Sequence, residues 1–229
     1  MKPLSEKRYL VLDMPTEEDA RSDQRRLLDT LAPEFGSVEI PLAQLRRLYP
    51  LCRTAEGKLT VTLIWNGERW RLADLERGDT TAWHYGLAVD LGSTSVTMEL
   101  VDLNSGTVVA KESMYNRQTA LGSDVLTRIF YAKDNPSHLE ELRQAAVDTL
   151  NELMGRLTEA SVVDVSRCAA MVLAGNTVMT HFLLGLDGFP LFLSPYAPVA
   201  AEPGFLTGAE LGLELAGLVY LYPSRANYM

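Results

Sequence analysis

Cysteine is scarce in this sequence of 229 residues, which contains two cysteines and no pair with the spacing of a metal-binding or redox motif. Cys52 and Cys168 lie far apart along the chain. Disulfide scaffolds, zinc knuckles and iron–sulfur clusters all need several cysteines, usually at short spacings. We therefore exclude these sites for ligands drawn from this chain alone. Cys168 begins an apolar run, which predicts a small buried side chain.

An excess of positive charge is also lacking. The chain carries 21 Lys and Arg residues against 30 Asp and Glu residues, and its formal net charge is −9. A general nucleic-acid binder needs basic residues to neutralise the phosphates of its ligand, so this balance argues against that class. A single bound phosphate stays compatible with the charge, because such sites use backbone dipoles and one cation.

Long apolar runs are absent as well. The longest, Cys168–Ala174, is far too short to span a membrane. Charged residues stand close together at Glu6, Lys7 and Arg8, so the first residues lack an apolar core of the length that a signal peptide requires. These features predict a cytoplasmic protein without membrane contacts. The hydrophobic content of 47% is ordinary for a folded globular protein.

The first part of the chain, residues 1–84, predicts a small α+β domain. Thr16–Asp19 has the pattern of a capping box at the start of a helix, and we expect that helix to end at Pro33. A second, shorter helix is expected to end at Pro50. The alternating run Leu59–Trp65 predicts a strand, and the Asn-Gly pair after it predicts a hairpin turn.

From Tyr85 onward the pattern changes to that of an α/β domain, residues 85–229. We expect three antiparallel strands, then helices, a buried strand at Ala169–Ala174, a further helix and a last strand at Leu218–Leu221. Ser137–Glu140 predicts a second capping box at the start of one of these helices. This order of elements favours a mixed sheet of the ribonuclease-H-like type.

The segment Gly86–Ser95 carries the clearest chemical pattern of the sequence. An apolar run ends in an aspartate, and a glycine and three hydroxyl residues precede the next β-prone run, which predicts a strand, a tight turn and a strand. Such a turn presents backbone N–H groups and hydroxyls that suit a phosphate. The aspartate repels a bare phosphate, so a bridging Mg²⁺ is implied. The residues concerned are Asp90 for the cation and Gly92, Ser93, Thr94 and Ser95 for the phosphate. The alternative is a solvated hairpin turn whose aspartate makes local hydrogen bonds.

Two further segments contain candidate residues: Asn116, Asp124 and Arg128 in the first, and Asn176 and Thr177 in the second. Asp124 and Arg128 are four residues apart on a predicted helix, which allows either a cap with an ion pair or a surface for a partner. The second segment joins a strand to a helix, where N–H groups can accept an anion unless Asn176 simply caps the helix. His181, one turn later, is expected to be structural.

The sequence Asp90–Ser95, DLGSTS, resembles the first phosphate loop of the actin, sugar kinase and Hsp70 ATPase superfamily. Longer segments are similar to the reductive activators of corrinoid-dependent enzymes, and the run Arg21–Leu27 is similar to the middle domain of that family. The longer segments are Tyr85–Gly106, Asn116–Ile129, Ala174–Leu186 and Pro195–Val199. They occur in the order in which the family has them, so the resemblance covers nearly the whole chain.

The resemblance implies a homodimeric enzyme that uses ATP and Mg²⁺ to drive the reduction of Co(II) to Co(I) on a corrinoid protein or a corrinoid-dependent methyltransferase. It also implies a ferredoxin-like [2Fe–2S] domain through which the electron enters. In this interpretation residues 1–84 are the middle domain and residues 85–229 are the first half of the ATPase domain. Asp90 then positions Mg²⁺ or its water shell, and Gly92 to Ser95 bind the nucleotide phosphates.

The chain departs from the family pattern at both ends. It lacks the four-cysteine segment of the iron–sulfur domain, and the second phosphate loop is expected only beyond Met229. We therefore expect a fragment that binds ATP weakly and is inactive alone, because nucleotide sites of this superfamily lie between two half-domains. Two other functions stay open. One is a small-molecule kinase of the same superfamily, with Asp124 as the candidate general base, and the other is a non-catalytic module for dimerisation or docking.

Overall fold

The chain forms two units, each with its own hydrophobic core, and the boundary between them follows His84. The computed structural model describes residues 3–223. The first unit comprises Met1–His84 and the second comprises Tyr85–Met229. Both units combine helices with a β-sheet, so the predicted α/β class is confirmed. Within the described residues, no helix is both long enough and apolar enough to cross a membrane.

The first unit packs two helices against a four-stranded sheet. Its strands are β1 (Ser5–Val11), β2 (Val38–Glu39), β3 (Lys58–Trp65) and β4 (Trp70–Arg77), and its helices are α1 (Asp23–Phe35) and α2 (Leu42–Thr54). The strand order is β1-β3-β4-β2, with β3 in antiparallel contact with both β1 and β4. Trp65 and Trp70 face each other across the β3–β4 hairpin with ring centroids 5.6 Å apart, as expected for cross-strand packing.

Both helices of the first unit continue past the prolines that were predicted to end them. Pro33 lies inside α1 and Pro50 lies inside α2. A proline removes one backbone hydrogen bond, but the residues that follow it still pack into the core. Phe35 contacts Trp70 edge to face at 5.4 Å, and Cys52 is buried. The last turn of each helix is therefore held by packing, which a local rule for proline does not include.

The second unit is built on a six-stranded mixed sheet. Its strands are β5 (Tyr85–Leu91), β6 (Ser95–Asp102), β7 (Thr107–Tyr115), β8 (Ala170–Gly175), β9 (Gly204–Thr207) and β10 (Leu218–Leu221). Its helices are α3 (Val125–Ala132), α4 (Pro136–Ser161), α5 (Thr177–Leu184) and α6 (Gly208–Leu211). The strand order is β7-β6-β5-β8-β10-β9. β5, β6 and β7 form an antiparallel meander, whereas β8 runs parallel to both β5 and β10. The predicted ribonuclease-H-like mixed sheet is confirmed.

The core of the second unit lies between the meander and the long helix α4. The buried positions of α4 recur every three or four residues, which gives one apolar face; they include Leu142, Ala146, Leu150, Leu153 and Leu157. Strand β6 alternates buried and less buried positions, as a strand covered on one side does. Helix α4 packs against β6 and β7 and thereby covers this face of the sheet.

Helix starts differ from the predicted capping boxes. The N-cap of α1 is Ser22, and the Thr16 hydroxyl instead accepts the Asp19 N–H in a turn before the helix. The N-cap of α4 is Asn135, whose side chain accepts two backbone N–H groups. A full capping box occurs at α6, where Thr207 and Glu210 exchange hydrogen bonds. Neither this short helix nor β9 was predicted, because four-residue elements carry almost no periodic signal.

Candidate functional site

The turn between β5 and β6 consists of Gly92, Ser93 and Thr94, and Ser95 is already the first residue of β6. The chain reverses so tightly that a Cβ atom on residue 92 would lie 2.4 Å from the Ser95 carbonyl oxygen. Only glycine fits without a shift of the backbone. The strand, polar turn and strand predicted from this segment are therefore present.

Several polar groups of this turn have no partner within residues 3–223. The carboxylate of Asp90 is exposed and makes no hydrogen bond or ion pair to a described residue. The side-chain hydroxyls of Ser93, Thr94 and Ser95 are likewise uncommitted in the part of the chain that the structure describes. The same holds for the backbone N–H groups of Ser93 and Thr94. The turn therefore offers hydrogen-bond donors next to one free carboxylate. Phosphate binding by the turn remains a prediction.

The start of helix α5 lies at the same edge of the sheet. β5 and β8 are parallel neighbours, and Leu91 is the register partner of Gly175. The β5–β6 turn and the β8–α5 junction therefore follow adjacent strand ends, so the fold brings together two segments that sequence reasoning treated separately. Asn176 is the N-cap of α5, with its side chain accepting the Met179 N–H at 2.9 Å, so the capping interpretation is confirmed. An anion near Thr177 stays a prediction, favoured by the positive end of the helix dipole.

Asn116 holds the turn from inside the protein. Its side chain is fully buried, and its Nδ2 donates to the Gly92 carbonyl at 3.0 Å. Its backbone N–H donates to the Thr94 carbonyl at 2.9 Å. The carbonyls of Gly92 and Thr94 therefore point toward Asn116, whereas the N–H groups of Ser93 and Thr94 make no hydrogen bond to it. Sequence reasoning named Asn116 but did not predict this contact.

The family models account for both units of the chain. Residues 85–229 match the model described as the RACo middle region, and residues 1–82 match the model described as the RACo linker region. The chain belongs to the RACo family. In the vocabulary of these models, the first unit is thus the linker region and the second unit is the middle region.

Two RACo-type relatives extend this result. The chain is 34% identical over 147 residues to the corrinoid activation enzyme RamQ of Eubacterium limosum, an alignment that covers 63% of this chain and 25% of that relative. A solved structure of a reductive activator for a corrinoid, iron–sulfur protein superimposes with a TM-score of 0.89 at 35% identity. That superposition covers 100% of this chain and 37% of the solved one. The chain thus spans about a quarter of the curated relative and somewhat over a third of the solved one.

Asp124 and Arg128 of this RACo-family chain do not form the ion pair that their spacing predicted. Asp124 is the N-cap of α3, and its oxygens accept hydrogen bonds from the Thr127 N–H, the Thr127 hydroxyl and the Ser123 hydroxyl. The Thr127 N–H and hydroxyl lower the pKa of Asp124, which makes its carboxylate a weak base. This arrangement argues against Asp124 as the general base of a kinase.

Arg128 points into the protein and is fully buried, so it cannot lie on a docking surface. Its Nε donates to the Gly122 carbonyl at 2.8 Å. Its Nη1 lies 3.4 Å from the side-chain oxygen of Gln118 and 3.6 Å from the sulfur of Met179. Nη2 has no hydrogen-bond partner among the described residues. Burial lowers the pKa of Arg128, against the opposing effect of the Asp124 charge, but an arginine remains protonated. Among the described residues, this buried cation therefore has no carboxylate partner, which is costly.

His181 is also buried, and both of its ring nitrogens are used. Nδ1 lies 2.7 Å from the Thr177 carbonyl oxygen, so Nδ1 carries the proton and donates it. Nε2 accepts the backbone N–H groups of Val199 and Ala200 at 3.1 and 3.4 Å. Burial lowers the pKa of this imidazole, which favours the neutral form. His181 therefore anchors the segment after α5, in agreement with the structural role expected from the sequence.

Proposed function

We propose that this chain is part of an ATP-dependent reductive activator that restores Co(I) in a corrinoid protein or a corrinoid-dependent methyltransferase. Membership of the RACo family and the 35% identity to a reductive activator for a corrinoid, iron–sulfur protein support this assignment. In this proposal the chain contributes one side of a nucleotide site. The two cysteines of this chain are buried in different units, so in this proposal they are not the source of the electron. The electron comes from a [2Fe–2S] centre or another one-electron donor.

The observation that carries the nucleotide-binding part is the set of unpartnered groups in the β5–β6 turn. The N–H groups and hydroxyls of Ser93 and Thr94 can donate to phosphate oxygens, and Gly92 permits the tight turn that presents them. The nearby start of α5 adds a favourable dipole for an anion. The net negative charge of the chain is compatible with an anion at the β5–β6 turn, because the hydrogen-bond donors there are local backbone groups.

Asp90 fits a magnesium ion that is shared with a nucleotide. Mg²⁺ is commonly held by one or two carboxylates, waters and substrate phosphates. The free carboxylate of Asp90 supplies one such ligand next to the turn, either directly or through water. Within the described residues, no three acidic, histidine or cysteine side chains lie close enough together to hold a metal. A metal at this turn would therefore need ligands from the nucleotide or from water. When bound, Mg²⁺ would neutralise phosphate charge and orient the phosphates.

Nucleotide binding can be tested by nuclear magnetic resonance of the ¹⁵N-labelled chain titrated with MgATP, which detects weak affinity. We expect the amide signals of Ser93, Thr94 and Val178 to shift. Asp90→Asn should remove the effect of Mg²⁺ on the affinity, whereas Asp148→Asn on α4 should not. Signals that move only in the first unit, or no signals that move at all, would contradict the proposal.

Reductive activation is tested with a chimera in which this chain replaces the equivalent segment of the solved reductive activator, because we expect the chain alone to be inactive. The chimera is mixed with the corrinoid iron–sulfur protein, MgATP and a one-electron donor that alone leaves cobalt as Co(II). One electron from the donor converts Co(II) to Co(I), and the absorbance spectrum of the corrinoid reports the change. We expect Co(I) to accumulate only with ATP. Equal Co(I) formation without the chimera, or none with it, would reject this function, and ATP-independent complex formation would favour the docking module instead.

A further inference from the structure

The β5–β6 turn is bonded to one buried residue that is remote in sequence, Asn116. Asn116 donates from Nδ2 to the Gly92 carbonyl at 3.0 Å and from its backbone N–H to the Thr94 carbonyl at 2.9 Å. Its Oδ1 accepts the Gln118 N–H at 3.0 Å, which sets the amide orientation so that Nδ2 faces the turn. Asn116 itself is 0% exposed, so water does not reach its side of these contacts.

The orientation of these carbonyls decides what the turn offers to a ligand. Carbonyl oxygens repel a phosphate, whereas N–H groups attract one. With the carbonyls of Gly92 and Thr94 bonded to Asn116, the N–H groups of Ser93 and Thr94 are left without partners in the described residues. Loss of the Nδ2 bond would free the Gly92 carbonyl to rotate toward an incoming anion.

The contacts of Asn116 continue to the second element of the site. Gln118 is fully buried and donates to the Leu142 carbonyl at 2.8 Å, and its side-chain oxygen receives Arg128 Nη1 at 3.4 Å. Arg128 in turn contacts Met179 of α5 at 3.6 Å. A continuous path of buried polar contacts therefore joins the turn to the helix whose start lies at the same sheet edge.

From these contacts we infer that Asn116 is a positioning residue for the anion site: it sets the carbonyl orientation of the β5–β6 turn, and Gln118 and Arg128 tie that orientation to α5. The inference rests on the proposed function, and it predicts an effect on the turn itself that can be measured without any ligand. A merely structural Asn116 would lower the stability of the chain without changing the turn or the affinity of the folded protein.

The test compares two substitutions with one control. Asn116→Asp keeps the shape and the acceptor for the Gln118 N–H, but the carboxylate cannot donate to the Gly92 carbonyl. Asn116→Leu removes the same donor without adding a charge. Asn151→Asp is the matched control, because Asn151 also donates to a glycine carbonyl, that of Gly212 at 3.2 Å, and accepts a backbone N–H, but at another loop.

The readouts are the amide signals of Ser93 and Thr94 and the Kd of MgATP and of magnesium pyrophosphate. We expect both Asn116 variants to shift and broaden these two signals without ligand and to weaken binding about tenfold, the effect of one lost hydrogen bond. Asn151→Asp should leave signals and Kd unchanged. If only the Asp variant loses affinity, and high salt restores that affinity, charge repulsion explains the result and the inference is wrong.

Folded Asn116 variants with unchanged Ser93 and Thr94 signals would overturn the inference even if their stability falls. If the wild-type chain binds neither MgATP nor magnesium pyrophosphate, the proposed function fails, while the turn signals still decide the role of Asn116. Should neither variant fold, the wild-type chain supplies the test. The Asn116 side-chain amide protons should then exchange with solvent far more slowly than those of Asn66, and equal exchange would refute the inference.

Discussion

At the scale of single residues, the β5–β6 turn joins one glycine to one asparagine that sequence reasoning could not connect. Gly92 was found because an aspartate, a glycine and hydroxyl residues stand together between two β-prone runs. The contact from Asn116 spans 24 positions of the chain. No local sequence pattern predicts such a contact, because it forms only when β7 pairs with β6 and the chain returns to the turn. Arg128 was misjudged for the same reason, since helical spacing does not reveal which side of α3 the core covers.

Gly92→Ala should destabilise the chain. The added Cβ would lie 2.4 Å from a backbone oxygen that cannot move without opening the hairpin. We expect a loss of about 1–3 kcal/mol in the free energy of unfolding, measured by urea titration. The control is Gly155→Ala in α4, where nothing lies within 4 Å of the new atom. There the better helix propensity of alanine should raise stability by up to about 1 kcal/mol. Equal effects at the two positions would contradict the tight turn.

His181 should make stability depend on pH. Burial holds its pKa below the ordinary value of 6.5, so between the two values the unfolded chain binds a proton that the folded chain does not. The contribution of His181 is therefore complete above pH 6.5 and is lost as the pH falls toward the folded pKa. Urea titrations at several pH values should show a steeper loss for the wild type than for His181→Gln, whose side-chain oxygen can still accept the Val199 N–H. Parallel curves for the two proteins would exclude this role.

At the scale of secondary-structure elements, long periodic segments were predictable and element ends were not. The apolar spacing of α4 and the alternation of β3 were visible in the sequence, and both elements are present. The ends of α1 and α2 were missed because packing outweighs the local preference of Pro33 and Pro50. The mixed type of the sheet followed from the order of elements, but the place of β9 did not. The meeting of the turn with the start of α5 required the register of β5 against β8.

The cap of α3 provides a test of this element. Asp124→Ala should lower the thermal stability of the chain, because the Thr127 N–H loses its acceptor. Asp124→Asn should retain most of the stability, since asparagine is an equally good cap. Thermal unfolding at neutral pH measures the difference. The hydrogen bonds from Thr127 hold the Asp124 pKa below its ordinary value of 3.8, so the advantage of Asp over Ala should disappear in strong acid. A stable alanine variant would show that the cap is unimportant.

At the scale of the whole molecule, each of the two units has its own core and one buried cysteine. Cys52 belongs to the first unit and Cys168 to the second. Burial raises the pKa of the Cys52 thiol to about 11 and that of the Cys168 thiol to about 12. Neither thiol is therefore suited to redox chemistry.

These thiols should report the opening of each unit separately. For Cys52 the raised pKa alone reduces the thiolate roughly a hundredfold at pH 8, and burial further blocks access to a disulfide reagent. We expect slow labelling in the native chain and fast labelling when the surrounding unit unfolds in urea. The variants Cys52→Ala and Cys168→Ala each leave one reporter. Rapid labelling of either thiol without denaturant would contradict the described cores.

The order of strands in the second unit has a consequence for how the unit forms in time. β5, β6 and β7 pair with their immediate neighbours along the chain, whereas β8 reaches β5 only after closure of a loop of about 80 residues. We expect the three-stranded meander to become protected first in pulse-labelled hydrogen exchange, with β8 and β10 following. The hairpin with Gly92 would then form early, and the later packing of α5 would complete the proposed anion site.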